Sequence, residues 1–182
     1  MATKDFRKLE VAFTISGNSP MLLAFPEAAS LTAKAGEVVY LASGYLTEAA
    51  NTSGVVTTNP VLGVLGDDGH NGASAGLYSA GVYIANFDTI FKGTLVNSAG
   101  TRIATNVGYV GCVAGLYADT TNSRVYVAGT VLPGNRLGPP KATNEYPLVQ
   151  IVALDPEDDV GDVGGRVLFK FLSHAQQLMT TS

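Results

Sequence analysis

The sequence predicts an all-β fold: a single antiparallel β-barrel or jelly-roll-like sandwich with an extended N-terminal arm and very little helix. Three observations predict it. Val, Thr and Tyr are frequent and gather in short runs, as β-strands favour. Gly- or Asn-rich punctuation separates those runs at intervals of about ten residues. Stretches with a helical period are scarce. At 182 residues the chain has the size of one domain, or one domain with a long arm. The division expected is an arm over 1–25 and a β domain over 26–182.

The elements follow in order. Within the arm, Leu9, Val11, Phe13 and Ile15 alternate with Glu10, Ala12 and Thr14, the pattern of a half-buried strand. Residues 27–35, EAASLTAKA, hold helix formers ahead of Gly36 and read either as a short helix or as an extended lead-in. Residues 37–42, EVVYLA, form a β-branched run that stops at Ser43-Gly44. Residues 61–65, VLGVL, form another between Pro60 and Gly66. An extended aromatic stretch covers 81–96. Residues 107–118, VGYVGCVAGLYA, read as a long strand whose glycines mark bends or bulges. The polar residues 119–123 then turn the chain back into Arg124–Thr130, which gives a hairpin. Residues 133–147 contain four of the eight prolines and form a loop. Two strands close the chain, at 148–154 and 166–172. In the second, Val167, Phe169 and Phe171 share an apolar face, while Arg166, Leu168, Lys170 and Leu172 share a mixed one. Residues 173–179 suit a last helical turn or two with Ser173 as N-cap.

Composition excludes several classes. Charged residues are 14% of the chain, against about 25% in an ordinary soluble protein. Hydrophobic residues are 46%, the opposite of a disordered composition. A net charge of -4 argues against a broad basic face for nucleic acid. The one basic cluster, Lys4, Arg7 and Lys8, is diluted by Asp5 and Glu10. One Cys cannot build a disulfide framework, and one Cys with two His cannot furnish a zinc site alone. Cys112, among Gly111, Val113 and Ala114, reads as a buried, inert thiol. No secretory signal is expected from the charged first ten residues. The apolar run Met21–Phe25 is far shorter than the ~20 residues that span a bilayer, so no membrane partner is expected.

Two segments invite chemistry. Residues 72–76, Gly-Ala-Ser-Ala-Gly, match the G-x-S-x-G pattern, with His70 nearby. That pattern works when a strand drives into a tight elbow and a helix leaves it. Here a polar turn precedes Ser74 and a strand-like segment follows, so Ser74 is read as a surface-loop residue and no catalytic residue is expected. Residues 155–162, DPEDDVGD, gather Asp155, Glu157, Asp158, Asp159 and Asp162. Clustered carboxylates on a loop could contact a partner or a cation, or stand in solvent, but their spacing is not that of a calcium loop. No metal site and no cofactor are assigned. The dinucleotide and Walker patterns are absent, and His70 and His174 read as separate surface residues.

Four segments resemble the small β-rich decoration, or cement, proteins of tailed bacteriophage heads. They are KAGEVVYLASGYL at 34–46 with PVLGVLG at 60–66, VYIANFDTIFKGTL at 82–95, the hairpin GLYADTTNSRVYV at 115–127, and VQIVALDPEDDVGDVGGRVLFKFL at 149–172. The last is the nearest, with its DP, its G-D-x-G-G-R loop and its closing apolar strand. The resemblance implies a non-enzymatic structural protein, made in the host cytoplasm and carried on the outer capsid surface of the virion. It implies a homotrimer that binds the major capsid protein and bridges capsomers, without nucleic acid. On this reading the arm side chains Phe6, Leu9, Val11, Phe13 and Ile15 bind the capsid by adding a strand to a neighbour's sheet. A tail or baseplate β-barrel of the same virion shares the composition. A carbohydrate-binding β-sandwich is the other alternative, although sugar platforms favour Trp and this chain has none.

Overall fold

The β-branched runs become strands, and short polar or glycine-bearing turns separate them. The computed structural model describes residues 7–52, 54–57, 60–97, 99–119, 121, 124–132 and 147–178. Among these, thirteen strands form in chain order: β1 (Glu10–Thr14), β2 (Leu22–Pro26), β3 (Val38–Ala42), β4 (Tyr45–Glu48), β5 (Asn51–Thr52), β6 (Val55–Val56), β7 (Gly63–Leu65), β8 (Ser79–Ile84), β9 (Thr89–Val96), β10 (Val113–Asp119), β11 (Arg124–Leu132), β12 (Val149–Leu154) and β13 (Arg166–Phe171). The fold is all-β, as expected.

The strands make two sheets. The larger runs β1-β9-β13-β12-β10-β6-β5, with β11 pairing both β10 and β9. Those last pairings complete a ring, β9–β13–β12–β10–β11 and back to β9. The closing β11–β9 pair is parallel, Val127 opposite Leu95, and the other pairs in the ring are antiparallel. Every strand of the ring supplies the main core, including Phe91, Leu95, Leu116, Val127, Ile151, Val167, Phe169 and Phe171. Phe91 and Phe169 stack at 5.9 Å between centroids, and Phe171 meets Phe91 edge-on at 5.3 Å. The expected apolar face of β13 is therefore the core face.

The smaller sheet runs β2-β8-β7-β3-β4. It curls until its two outer strands approach, where Glu27 bridges to Leu46 and the Ala28 N–H donates to the Leu46 carbonyl at 2.9 Å. Strand alternation divides its side chains between two cores. Val38 and Val64 pack into the main core, while Val39 and Leu65 pack into a second cluster with Leu31, Leu46, Leu62, Val82 and Ile84. One wall thus serves both cores, which ties the sheets into a single body.

The largest departure from expectation lies between Arg7 and Pro26. This segment does not stand off as an arm. β1 pairs with β9, Glu10 opposite Lys92, and β2 pairs with β8, Leu22 opposite Tyr83. Leu9 enters the main core at 2% exposure. Gly93 leaves room for it, since a Cβ there would collide with Leu9 Cδ2. The Thr94 hydroxyl accepts from the Arg7 N–H at 3.1 Å and donates to the Arg7 carbonyl at 3.2 Å. On the other side, Lys8 and Leu9 lie against Gly36, whose φ of 92° and close approach both require glycine. The physical reason is an available edge. β9 exposes one side over Thr89–Lys92, and an alternating segment of the same chain fills it at far higher effective concentration than another molecule could.

Other elements differ locally. Residues 27–35 form no helix, and Ser30 sits at φ 60° in a turn. The long strand expected from 107 begins only at Val113. Before it, Val107–Tyr109 form a 3-10 turn whose Asn106 side chain accepts from the Gly108 N–H at 2.7 Å. The stretch 81–96 is interrupted by a turn in which Asn86 Oδ1 accepts from the Asp88 and Thr89 N–H groups. Ser173–Ala175 form a 3-10 turn with Leu172, not Ser173, in the N-cap position. The hairpin at 115–127 forms as expected, with Asp119 opposite Arg124. Of the loop over 133–147, residues 133–146 lie outside the described residues.

Candidate functional site

The acidic segment between β12 and β13 is built around an arginine. Arg166 opens β13 at 4% side-chain exposure, and the carboxylates before it fold back onto its guanidinium. Arg166 Nε lies 2.8 Å from Asp155 Oδ2, a contact that is ionic rather than an aligned hydrogen bond. Its Nη2 bonds Glu157, and its backbone N–H donates to Asp158 Oδ2 at 2.8 Å. Asp158, with a side chain 2% exposed, also receives Arg7 Nη2 at 2.5 Å. Glu10 from β1 reaches Arg166 Nη1 at 3.5 Å, and Lys92 from β9 lies 3.8 Å from Glu10 and 3.7 Å from Glu157. Asp162 is buried and its Oδ2 accepts from the Asp159 N–H at 3.3 Å. Asp159 is exposed.

Glu157 and Asp159 remain exposed, while Asp155, Asp158 and Asp162 turn inward. For Asp155 and Asp158 the compensating cations come from the chain itself, Arg166 and Arg7. Among the described residues no group of three or more His, Cys, Asp or Glu side chains is arranged to hold a metal ion. What the cluster does chemically is bind β1, β9 and the β12–β13 connection together. A buried charge is tolerated only when paired in this way.

Ser74 is exposed in the loop between β7 and β8, and β8 follows at Ser79 without an intervening helix. Its neighbour His70 is committed elsewhere. His70 Nδ1 lies 2.6 Å from Glu27 Oε1, its backbone N–H donates to Glu27 Oε2 at 2.9 Å, and its ring stacks on Tyr78 at 4.9 Å. Glu27, 2% exposed, also accepts the Gly76 N–H on its carbonyl at 2.8 Å. The buried Glu27 thus organises the whole 70–78 loop, a role that nothing in its sequence context signals. Cys112 is buried and its thiol donates to the Gly108 carbonyl at 3.4 Å. His174 is exposed, its Nε2 lying 3.0 Å from the Pro147 carbonyl.

Two polar features of the interior escaped the sequence reading. A small cavity of about 160 Å³ is lined by Thr32, Glu37, Glu48, Asn51 and apolar neighbours. Burial pushes the Glu37 carboxyl above the usual range, although the Lys34 N–H, 2.6 Å from Glu37 Oε2, acts the other way. Tyr126, at 1% exposure, has its hydroxyl pushed up to about 12, first by burial and then by the Asp119 carboxylate.

A surface feature is apolar. The strands β1 and β2 lie at the ends of the two sheets, and residues 11–26 contain no charged side chain. Phe13 is 49% exposed, Ile15 63%, Met21 50% and Leu22 50%. A groove of about 520 Å³ runs between them, lined by Val11, Phe13, Pro20, Leu22 and Tyr83 among others. Of the arm residues expected to meet the capsid, Phe13 and Ile15 are exposed, Val11 is half-buried, Leu9 is core and Phe6 lies outside the described residues.

The arrangement defines a class: an all-β protein of two sheets with an internal ion-pair cluster and an exposed, uncharged apolar edge. The chain matches no protein-family model, no curated protein and no solved structure.

Proposed function

We propose that the protein is a non-enzymatic virion component, a head decoration protein that binds the outside of a tailed-phage capsid and bridges its capsomers. The observation that carries this reading is the uncharged apolar stretch of residues 11–26, which holds β2 and all of β1 but Glu10, at the ends of the two sheets. Edge strands of soluble proteins are ordinarily protected by charge, and over this stretch these are not. Apolar patches of this kind mark surfaces that meet another protein. The resemblance of residues 149–172 to cement proteins names the setting, and that segment is here the clamp around Arg166. A protein that binds only the expanded shell would stabilise that state by mass action.

Immunogold labelling of virions of the phage that encodes the chain tests the reading. Label on the heads, together with co-sedimentation of the purified protein with heads stripped of surface proteins, is the expected result. Label on the tail would replace it with the tail-barrel reading. Absence of the chain from purified virions, by mass spectrometry, would overturn both.

A further inference from the structure

We infer that the cavity between Glu37 and Glu48 takes the arginine side chain of a partner protein. The inference goes beyond the decoration role. The cavity shares no lining residue with the groove beside β1 and β2, and it can be tested without a capsid.

Several segments assemble the cavity. In the β3–β4 ladder Val39 stands opposite Glu48. Glu37, two residues before Val39, therefore lies on the same face as Glu48 and diagonally across from it. Thr32, from the segment ahead of β3, donates its hydroxyl to Glu48 Oε1 at 3.0 Å. Asn51 comes from β5, and Val56 and Val125 come from β6 and β11 of the larger sheet. The cavity thus opens where the two sheets meet. Thr32, Glu48 and Asn51 are exposed at its mouth, Glu37 is half-buried, and Val56 and Val125 are buried in its floor.

Charge and shape select the occupant. Among the described residues neither Glu37 nor Glu48 belongs to an ion pair. Lys34 gives Glu37 its backbone N–H, but turns its ammonium to Asp68 at 3.2 Å. Burial, and after it the Glu48 carboxylate, pushes the Glu37 carboxyl up, as befits an acid that lacks a paired cation. A cation seated between the two carboxylates relieves both effects. A metal ion is the weaker fit. Among the described residues no group of three or more His, Cys, Asp or Glu side chains is arranged to hold one, and an apolar floor offers it nothing. An arginine uses both halves of the site. Its methylene stem packs on apolar surface while its charge stays near water. Its planar guanidinium presents a fork of N–H donors that matches carboxylate oxygens. At about 160 Å³ the cavity is smaller than the roughly 300–1,000 Å³ of small-molecule pockets and suits one long side chain. The net charge of -4 draws a cationic surface toward the chain.

The test titrates the isotope-labelled full chain with N-acetyl-arginine methylamide and follows the backbone amide signals by NMR. The uncharged isostere N-acetyl-citrulline methylamide and calcium chloride are the comparison titrants. The expected result is saturable shifts at Glu37, Glu48, Asn51 and Val56, with binding of the citrulline compound weaker by about tenfold or more. Glu48→Gln, at an exposed site, should weaken arginine binding by a similar factor while signals remote from the cavity stay in place. Asp159→Asn, at an exposed acid in the β12–β13 loop, should leave binding unchanged. Absence of saturable shifts with the arginine compound overturns the inference. So does equal binding of the citrulline compound, or binding that survives Glu48→Gln. Calcium that moves the same signals at lower concentration than the arginine compound overturns it in favour of a metal site.

Discussion

Arg166 shows how one residue can decide the character of a segment. Without it, residues 155–162 would hold a knot of mutually repelling carboxylates at the mouth of the core. With it, Asp155 and Asp158 are buried beside a guanidinium that is itself only 4% exposed. Replacing Arg166 by Ala removes one side of a buried pair and leaves the other uncompensated, a change that costs about 3–5 kcal/mol. Urea unfolding of Arg166→Ala against wild type at pH 7 measures the loss. A deficit below about 1 kcal/mol would remove the clamp from the account. The acidic side of this cluster is plain in the sequence. Its basic side is not, because Arg7 lies 151 residues from Asp158 and no spacing connects them.

At the scale of elements, what could be read ahead was local. The β10–β11 hairpin and the core face of β13 follow from alternation and turn chemistry within ten or so residues. The alternation from Leu9 to Ile15 was equally legible as a strand, but periodicity does not say whose sheet edge the strand takes. The edge proved to be β9 of the same chain. A prediction about truncation therefore follows from burial rather than position. Deleting residues 1–15 removes β1, the Arg7–Asp158 pair and the core side chain of Leu9, so the protein should lose most of its stability rather than merely an appendage. Leu9→Ala isolates the core part. It opens a space over Gly93 and should cost about 2–5 kcal/mol in denaturant unfolding. A change below about 1 kcal/mol would mean that Leu9 leaves the core in solution and that the segment does behave as an arm. The strand expected from Val107 failed for a related local reason. Asn106 offers its side chain to the Gly108 N–H, and such capping competes with extension.

For the whole molecule, the question is whether two sheets with two cores unfold as one. The connections that cross between them say they do. Val38 and Val39 are adjacent on β3 yet belong to different cores, so neither core can open without stripping one face of the shared wall. Lys8 and Leu9 lie between Gly36 and Gly93, which belong to the two sheets' sides of the same contact. The end of the chain makes a second tie. Ala175 is buried in the main core, while Gln177 accepts from the Leu41 N–H at 2.7 Å and donates to the Leu41 carbonyl at 2.9 Å on β3. A chain of 182 residues is above the size at which all-or-none unfolding is usual, so cooperativity here is a specific consequence of these ties. Differential scanning calorimetry should give one transition with calorimetric and van't Hoff enthalpies equal within error. Gln177→Ala removes the two bonds to Leu41 and should lower the midpoint by a few degrees while leaving a single peak. Two resolved peaks in the wild type would show that the sheets are independent units and that the shared wall does not couple them.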